Sequence, residues 1–210
     1  MKLSAPMAEV PFVLQPADFR PPLRLDEIFP VPGPCELEIG CGKGLYLEQA
    51  VRLEPGKNFL GVERAEKYFR HAVRRFWDDP PPNLRLVQTD AFDLLSRWLP
   101  AGSVCAVHVY FPDPWPKVRH AKRRLFQPQL YRLAHRVLRP EGILRIGSDV
   151  EPYFGTAVRE IAQSGLFERT DWPDDAPDRL ATNYAVKYAE QGRRLHYAKF
   201  RRAAADGLQG

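Results

Sequence analysis

From Cys35 onward the chain alternates between two hydrophobic periods. CELEIG (35–40) sets apolar residues at every second position, the pattern of a strand. GLYLEQAVRL (44–53) places Leu45, Leu47, Ala50 and Val51 on one face of a helix. NFLGVE (58–63) predicts a second strand, and AEKYFRHAVRRFW (65–77) a helix ended by the DDPPP breaker. NLRLVQTD (83–90) is a third strand, followed by a short helix through AFDLLSRWL, and SVCAVHVYF (103–111) is a fourth. FQPQLYRLAHRVL (126–138) predicts a helix stopped by Arg139-Pro140-Glu141-Gly142. GILRIGSD (142–149) is the fifth strand, and VEPYFGTAVREIAQSG (150–165) a helix with a glycine stop. After Trp172 the pattern predicts a loop, a helix, and a last strand in RRLHYAKFRR (193–202) that pairs antiparallel at or near an edge. Strands separated by helices of this length make βαβ units, hence a doubly wound, mostly parallel α/β sheet with an antiparallel C-terminal strand.

The 210 residues suit one such domain, spanning 35–210. Residues 1–34 hold eight of the 21 prolines and predict an arm that wraps over the surface or stays partly disordered. No stretch approaches the length of a membrane span, and the first residues lack the apolar core of a secretion signal. Three cysteines, an odd number without zinc spacing, fit a reducing, cytoplasmic setting and suggest no metal site. None of the five histidines pairs at metal-ligand spacing, so each is expected to be an ordinary core or surface residue.

The fourth strand leaves through an unusual corner, YFPDPWPKVRHAKRR (110–124). Pro112, Pro114 and Pro116 exclude helix and remove ladder donors. Five lysines and arginines follow within eight residues. Net charge is +5, but it is segregated: 117–139 carries eight basic and no acidic residues, and 187–202 six basic and one acidic. The rest of the chain has 17 basic against 25 acidic residues. A charge run is usually a solvated face; two such runs on an acidic body suggest a polyanionic partner. The second run also reads as an edge strand guarded by lysine and arginine.

In open α/β sheets the ligand lies beyond the carboxyl ends of the strands. Here the first strand ends in Glu38-Ile39-Gly40-Cys41-Gly42-Lys43-Gly44, the second in Glu63, the third in Asp90, the fourth in the Asp113 corner and the fifth in Asp149. Gly40, Gly42 and Gly44 allow a sharp turn and close approach to a ligand. Glu63, 23 residues after Gly40, is placed to accept both hydroxyls of a ribose. The G-x-G-x-G spacing is not that of a dinucleotide site, and Glu38 would repel a pyrophosphate. An acid there suits a ligand carrying an ammonium and a sulfonium, which is S-adenosylmethionine.

LEIGCGKG, FLGVE, TDA, FPDPWPKVRHAKRR, GSDVEPY and TNYAVKYAEQG, in this order from about Glu36 to the C-terminal strand, resemble the motifs of the bacterial tRNA (guanine-N7-)-methyltransferases, the TrmB family. The resemblance implies a Rossmann-like class I methyltransferase that uses S-adenosylmethionine to methylate N7 of a guanine in the tRNA variable loop, acting as a cytoplasmic monomer. It implies that Glu38, Glu63 and Asp90 bind the amino-acid end, ribose and adenine side of the cofactor, and that Asp113 serves cofactor and catalysis. Lys117, Asp149, Thr182, Asn183 and Tyr184 match substrate contacts. Ala185 stands where the family usually has Glu, which keeps open a chain that binds tRNA without efficient catalysis; a methyltransferase acting on another substrate is a further alternative. Arg119, Lys122, Arg123 and Arg124 are expected to contact RNA phosphates. Trp115 suits either stacking on a base or packing of the elbow onto the body. N7 of guanine has a free lone pair, so a general base is unnecessary, and Asp113 or Asp149 is expected to read the guanine edge.

Overall fold

The computed structural model describes residues 10–18, 20–173, 176 and 180–204. Eight strands form one sheet: β1 (Val13–Leu14), β2 (Cys35–Ile39), β3 (Asn58–Glu63), β4 (Leu84–Gln88), β5 (Val104–Tyr110), β6 (Leu138–Ser148), β7 (Phe167–Thr170) and β8 (His196–Arg202). Their order is β1-β4-β3-β2-β5-β6-β8-β7. β1 to β6 run parallel, whereas β8 is antiparallel to both β6 and β7. The helices are α1 (Leu25–Ile28), α2 (Leu45–Leu53), α3 (Glu66–Arg75), α4 (Ala91–Asp93), α5 (Pro128–Val137), α6 (Glu151–Gln163) and α7 (Asn183–Glu190). None is long and apolar enough to cross a membrane among the described residues.

The strand period divides the interior in two. Leu37, Ile39, Val107, Val109, Leu144 and Ile146 face one cluster, packed with Leu130 of α5 and Ile161 of α6. The opposite cluster joins Leu47 and Val51 of α2, Phe69 and Val73 of α3, and Phe59 and Leu86 of the sheet. On that second face the central strands carry ionisable side chains instead: Glu36, Glu38, His108 and Arg145 are all buried. His108 lies in register with both Glu38 and Arg145, so these side chains share one face. The alternations E-L-E-I and V-H-V-Y are therefore a polar layer beneath the strand ends.

Four features differ from the sequence reading. Val13 and Leu14 of the proline-rich segment pair with Leu86 and Val87, adding an edge strand. Val10, Phe12, Leu23 and Phe29 are buried with it, because burial offsets the ordering cost of a short apolar run. β7 takes the far edge and covers β8, whose Arg201 pairs with Glu168 at 2.7 Å and Glu141 at 3.2 Å. Part of the second basic run is thus neutralised inside the sheet rather than guarding an edge. β6 starts at Leu138, not Gly142; its register shifts between Val104 and Ala106, and Glu141 takes φ 61° in the bulge. A bulge is where a strand accepts Pro140. Finally, Leu94–Trp98 winds as a π-helical turn.

Gly147 of β6 is closely packed: a Cβ there would stand 2.9 Å from the Tyr197 ring and 3.2 Å from the Tyr110 ring. Gly147→Ala is expected to destabilise the fold by about 1–3 kcal/mol, the usual cost of overpacking. Urea unfolding of the variant checks this.

Candidate active site

The carboxyl ends of β2, β3, β4 and β5 converge on one cleft. After Ile39 the backbone turns through Gly40, Gly42 and Gly44 at φ 72°, 58° and 77°, in the left-handed region where L-residues are strained. Gly44 is the N-cap of α2. Glu63, at the end of β3, holds this turn: its Oε2 accepts from the Gly42 N–H at 3.1 Å, and its Oε1 from the Ala65 N–H at 2.8 Å. Each oxygen keeps a lone pair for a further donor. Asp90 follows β4 and caps α4, accepting from the Phe92 N–H at 2.8 Å, with Arg64 3.6 Å from its other oxygen.

The cleft has a volume of about 230 Å³ and is lined by Gly40, Glu63, Tyr68, Asp90, Tyr110, Asp113 and Tyr184 among others. Adjoining it is a lobe of only about 10 Å³, lined by Glu38, Gly42, Tyr46, Tyr110, Asn183 and Tyr184 among others. Tyr110 and Tyr184 line both. Glu38 is 3% exposed, and its Oε2 has no hydrogen-bond partner among the described residues; the same holds for Oδ1 of Asn183. Burial, and secondarily the charge of Glu63, push the Glu38 carboxyl up to about 8. Two orphaned acceptors in residues of one small lobe are an unmet demand for a donor, and a cationic one suits Glu38 best.

The proline corner is strained where it bends. Phe111 has φ 52° and Trp115 φ 41°, rare for aromatic residues. Surrounding contacts hold it. The Phe111 N–H donates to Gly147 O at 2.8 Å. Arg124 donates to Pro114 O at 3.1 Å and to Trp115 O at 3.0 Å. The Arg123 guanidinium lies 5.0 Å from the Trp115 ring centroid, and His120 packs edge-on to the same ring at 5.5 Å. The bend leaves Asp113 exposed on the cleft wall.

The basic run folds back as a 3-10 helix over Val118–Arg123. Lys117, Arg119 and Lys122 are exposed, while Arg123 lines the cleft and Arg124 holds the elbow's own carbonyls. Arg124 is therefore built as a brace rather than a free phosphate ligand. Asp149, after β6, accepts from Arg193 at 2.5 Å, and that guanidinium sits 4.6 Å over the Tyr188 ring. Asp149 does not line the main cleft.

Thr182 is the N-cap of α7; its Oγ1 accepts from the Ala185 N–H at 2.9 Å. Ala185 thus stands at the third helical position, where a Glu would complete a capping box. Its own side chain is buried in the cluster that holds Phe111. Sequence reasoning did not single out Tyr46, Tyr68 or Tyr110 as lining residues of the site. The signal available was Tyr110's place, directly before the proline corner.

Comparison with known proteins agrees with this geometry. A family model described as "Putative methyltransferase" matches residues 32–201. The tRNA (guanine-N(7)-)-methyltransferase of Nitrosococcus oceani is 33% identical over 182 residues, covering 87% of this chain and 77% of that protein. That of Geobacter metallireducens is 31% identical, covering 92% and 94%. Among solved structures, the 16S rRNA methyltransferase KamB aligns with a TM-score of 0.60 at 17% identity, over 81% of this chain and 88% of that one. A 16S rRNA (adenine(1408)-N(1))-methyltransferase solved with its cosubstrate SAM aligns at 0.57 and 18% identity, over 82% and 87%. These two show a shared fold. With identity above 30% over most of the chain, and the glycine turn, acidic strand ends and proline corner in one cleft, the chain belongs to the tRNA (guanine-N7-)-methyltransferase family.

Proposed function

We propose that this protein methylates N7 of a guanine in the variable loop of tRNA, with S-adenosylmethionine as donor. The observation that carries the reading is the pair of orphaned acceptors, Glu38 Oε2 and Asn183 Oδ1, beside a glycine turn held by Glu63. Glu38 and Asn183 suit the ammonium of the donor's amino-acid end. Glu63 suits the ribose hydroxyls, and the wall near Asp90 the adenine. When bound, S-adenosylmethionine supplies an electrophilic methyl group on a sulfonium.

The protein's part is placement. N7 carries its lone pair in the neutral base, so no side chain needs to remove a proton in the attacking step, and orientation supplies most of the acceleration. Asp113, exposed on the cleft wall and fixed by the braced elbow, is the group positioned to accept from guanine N1–H and N2–H₂. No other base offers two donors together on that edge. Asp149, outside the main cleft and paired with Arg193, serves instead to hold Arg193 against Tyr188 and so to seat α7. Lys117, Arg119 and Lys122 are the exposed cations for phosphate contact, with Arg123 at the cleft wall. Thr182 acts by capping α7, and Tyr184 by dividing the cleft from its lobe. The protein works as a cytoplasmic monomer, and the segment before residue 35 is an arm that wraps onto the catalytic domain and adds β1 to its sheet.

Labelled S-adenosylmethionine with transcribed tRNA, followed by mapping of the product, tests the reading. Label at N7 of a variable-loop guanine is expected; label on another ring atom, or none, overturns it. The affinity for tRNA should fall steeply with salt, because phosphate contacts release counterions, while donor affinity should change little. Equal salt slopes for the two ligands would contradict the assigned division between cleft and basic run.

A further inference from the structure

The methyl-transfer reading makes no use of the buried ionisable cluster that joins β2 and β5. His108 is fully enclosed in β5. Its Nε2 lies 2.8 Å from Glu36 Oε2, and Glu36 Oε1 is held by Lys57 Nζ at 2.9 Å. Burial lowers the His108 pKa, so the ring is neutral. Burial opposes ionisation of Glu36, but His108 and Lys57 outweigh it and hold the group as a carboxylate. A carboxylate only accepts, so Nε2 carries the single ring proton and Nδ1 is left as an acceptor.

Two phenols converge on that acceptor. The Tyr110 hydroxyl lies 3.1 Å from Nδ1, and the Tyr46 hydroxyl lies 3.1 Å from Nε2 and 3.2 Å from Nδ1; with the proton on Nε2, the single lone pair of Nδ1 is the acceptor the two share. Burial raises both phenol pKa values well above normal, so both keep their protons. Both rings line the lobe of Glu38, and the charge of Glu38 acts on both groups. Without His108 these buried O–H donors would need another acceptor, and the two unpartnered ones among the residues of their lobe are Oε2 of Glu38 and Oδ1 of Asn183.

We propose that His108, oriented by the Lys57–Glu36 pair, is a positioning residue that turns the Tyr46 and Tyr110 hydroxyls away from Glu38 and so keeps that carboxylate free for the ammonium end of the methyl donor. The proposal rests on the donor site assigned above and deepens it. Tyr110 adds a second consequence. It directly precedes Phe111, the first strained residue of the elbow, so the hydroxyl that His108 anchors also fixes where the corner begins.

Donor binding by calorimetry on the full chain, without tRNA, tests it. His108→Leu is expected to weaken S-adenosylmethionine about tenfold or more. Adding Tyr46→Phe and Tyr110→Phe to that variant is expected to restore affinity to within about threefold of wild type, since no phenol remains to occupy Glu38. His108→Gln, whose amide can donate to Glu36 and accept from a phenol, is expected to bind normally. A merely structural histidine predicts no rescue, because deleting two more hydroxyls repairs no packing. Unchanged affinity in His108→Leu, or failure of the triple variant to recover, overturns the proposal. Should His108→Leu not fold, His108→Phe, which keeps a ring and removes both nitrogens, takes its place: a loss of about tenfold that the two Tyr→Phe substitutions recover supports the proposal, and unchanged affinity or no recovery overturns it. Glu38→Gln separates the two levels. Normal donor binding in Glu38→Gln refutes the donor site, whereas loss there with normal binding in His108→Leu refutes only the role of His108.

Discussion

Asp113→Asn is expected to lower methyl transfer by about a hundredfold to a thousandfold while tRNA affinity stays within about threefold. A carboxylate at this wall accepts from both guanine donors; an amide keeps one acceptor and turns an NH₂ toward a donor, so the base loses its fixed position. A misplacement of about 1 Å is enough to cost about a hundredfold in an orientation-driven reaction. The elbow itself should survive, because its geometry comes from Pro112, Pro114, the Arg124 brace and the Phe111–Gly147 hydrogen bond, none of which involves the Asp113 side chain. Single-turnover methylation and filter binding on the same samples give the comparison. Full transfer in the variant would remove Asp113 from the reaction, and a parallel loss of tRNA affinity would make it a docking residue instead.

Glu38→Gln should have the second large effect, and of opposite sign on two measurements. Donor affinity is expected to fall by roughly two orders of magnitude, the scale on which breaking a buried, hydrogen-bonded charge pair costs about 2–5 kcal/mol. Stability of the donor-free protein should rise at alkaline pH. The folded chain holds the Glu38 proton up to about pH 8, far above the ordinary carboxylate range. Its contribution to stability is therefore whole below that ordinary range and is lost as pH rises through about 8. Gln cannot ionise and escapes the loss. The difference in melting temperature between variant and wild type should widen from pH 5 to pH 8.5, reflecting on the order of a few kcal/mol. A constant difference across that range would mean that Glu38 is already ionised in the donor-free state. Saturating donor should close the gap for wild type only, since the variant lacks the counter-charge.

The candidate site was legible where chemistry and position coincide in the sequence. The glycine turn, Glu63, Asp90 and Asp113 each stand at the end of a run whose period marks it as a strand, so the sheet's topology brings them together without further information. Glu38 was legible as an acid that excludes pyrophosphate. The role of Arg124 was not, because a cation in a basic run and a cation bracing Pro114 and Trp115 carbonyls have the same sequence signature. Nor was that of Thr182, a substrate contact by resemblance and a helix cap by geometry. Asp149 looks like Asp113 along the chain but faces Arg193 outside the main cleft.

By itself the sequence determined the alternation of strands and helices, the parallel core, the antiparallel return of β8 and the acids at the strand ends, because hydrophobic period and turn chemistry are local properties. Only the tertiary structure decided that Val13–Leu14 and Phe167–Thr170 join the sheet, that Gly142 belongs to a bulge, and that the buried face of β2 and β5 carries the Glu36–His108–tyrosine cluster. Each of these depends on what stands beside a residue rather than before or after it. A two-residue strand gains its hydrogen bonds from a neighbour more than seventy positions away, and a histidine's tautomer is set by the carboxylate across the sheet.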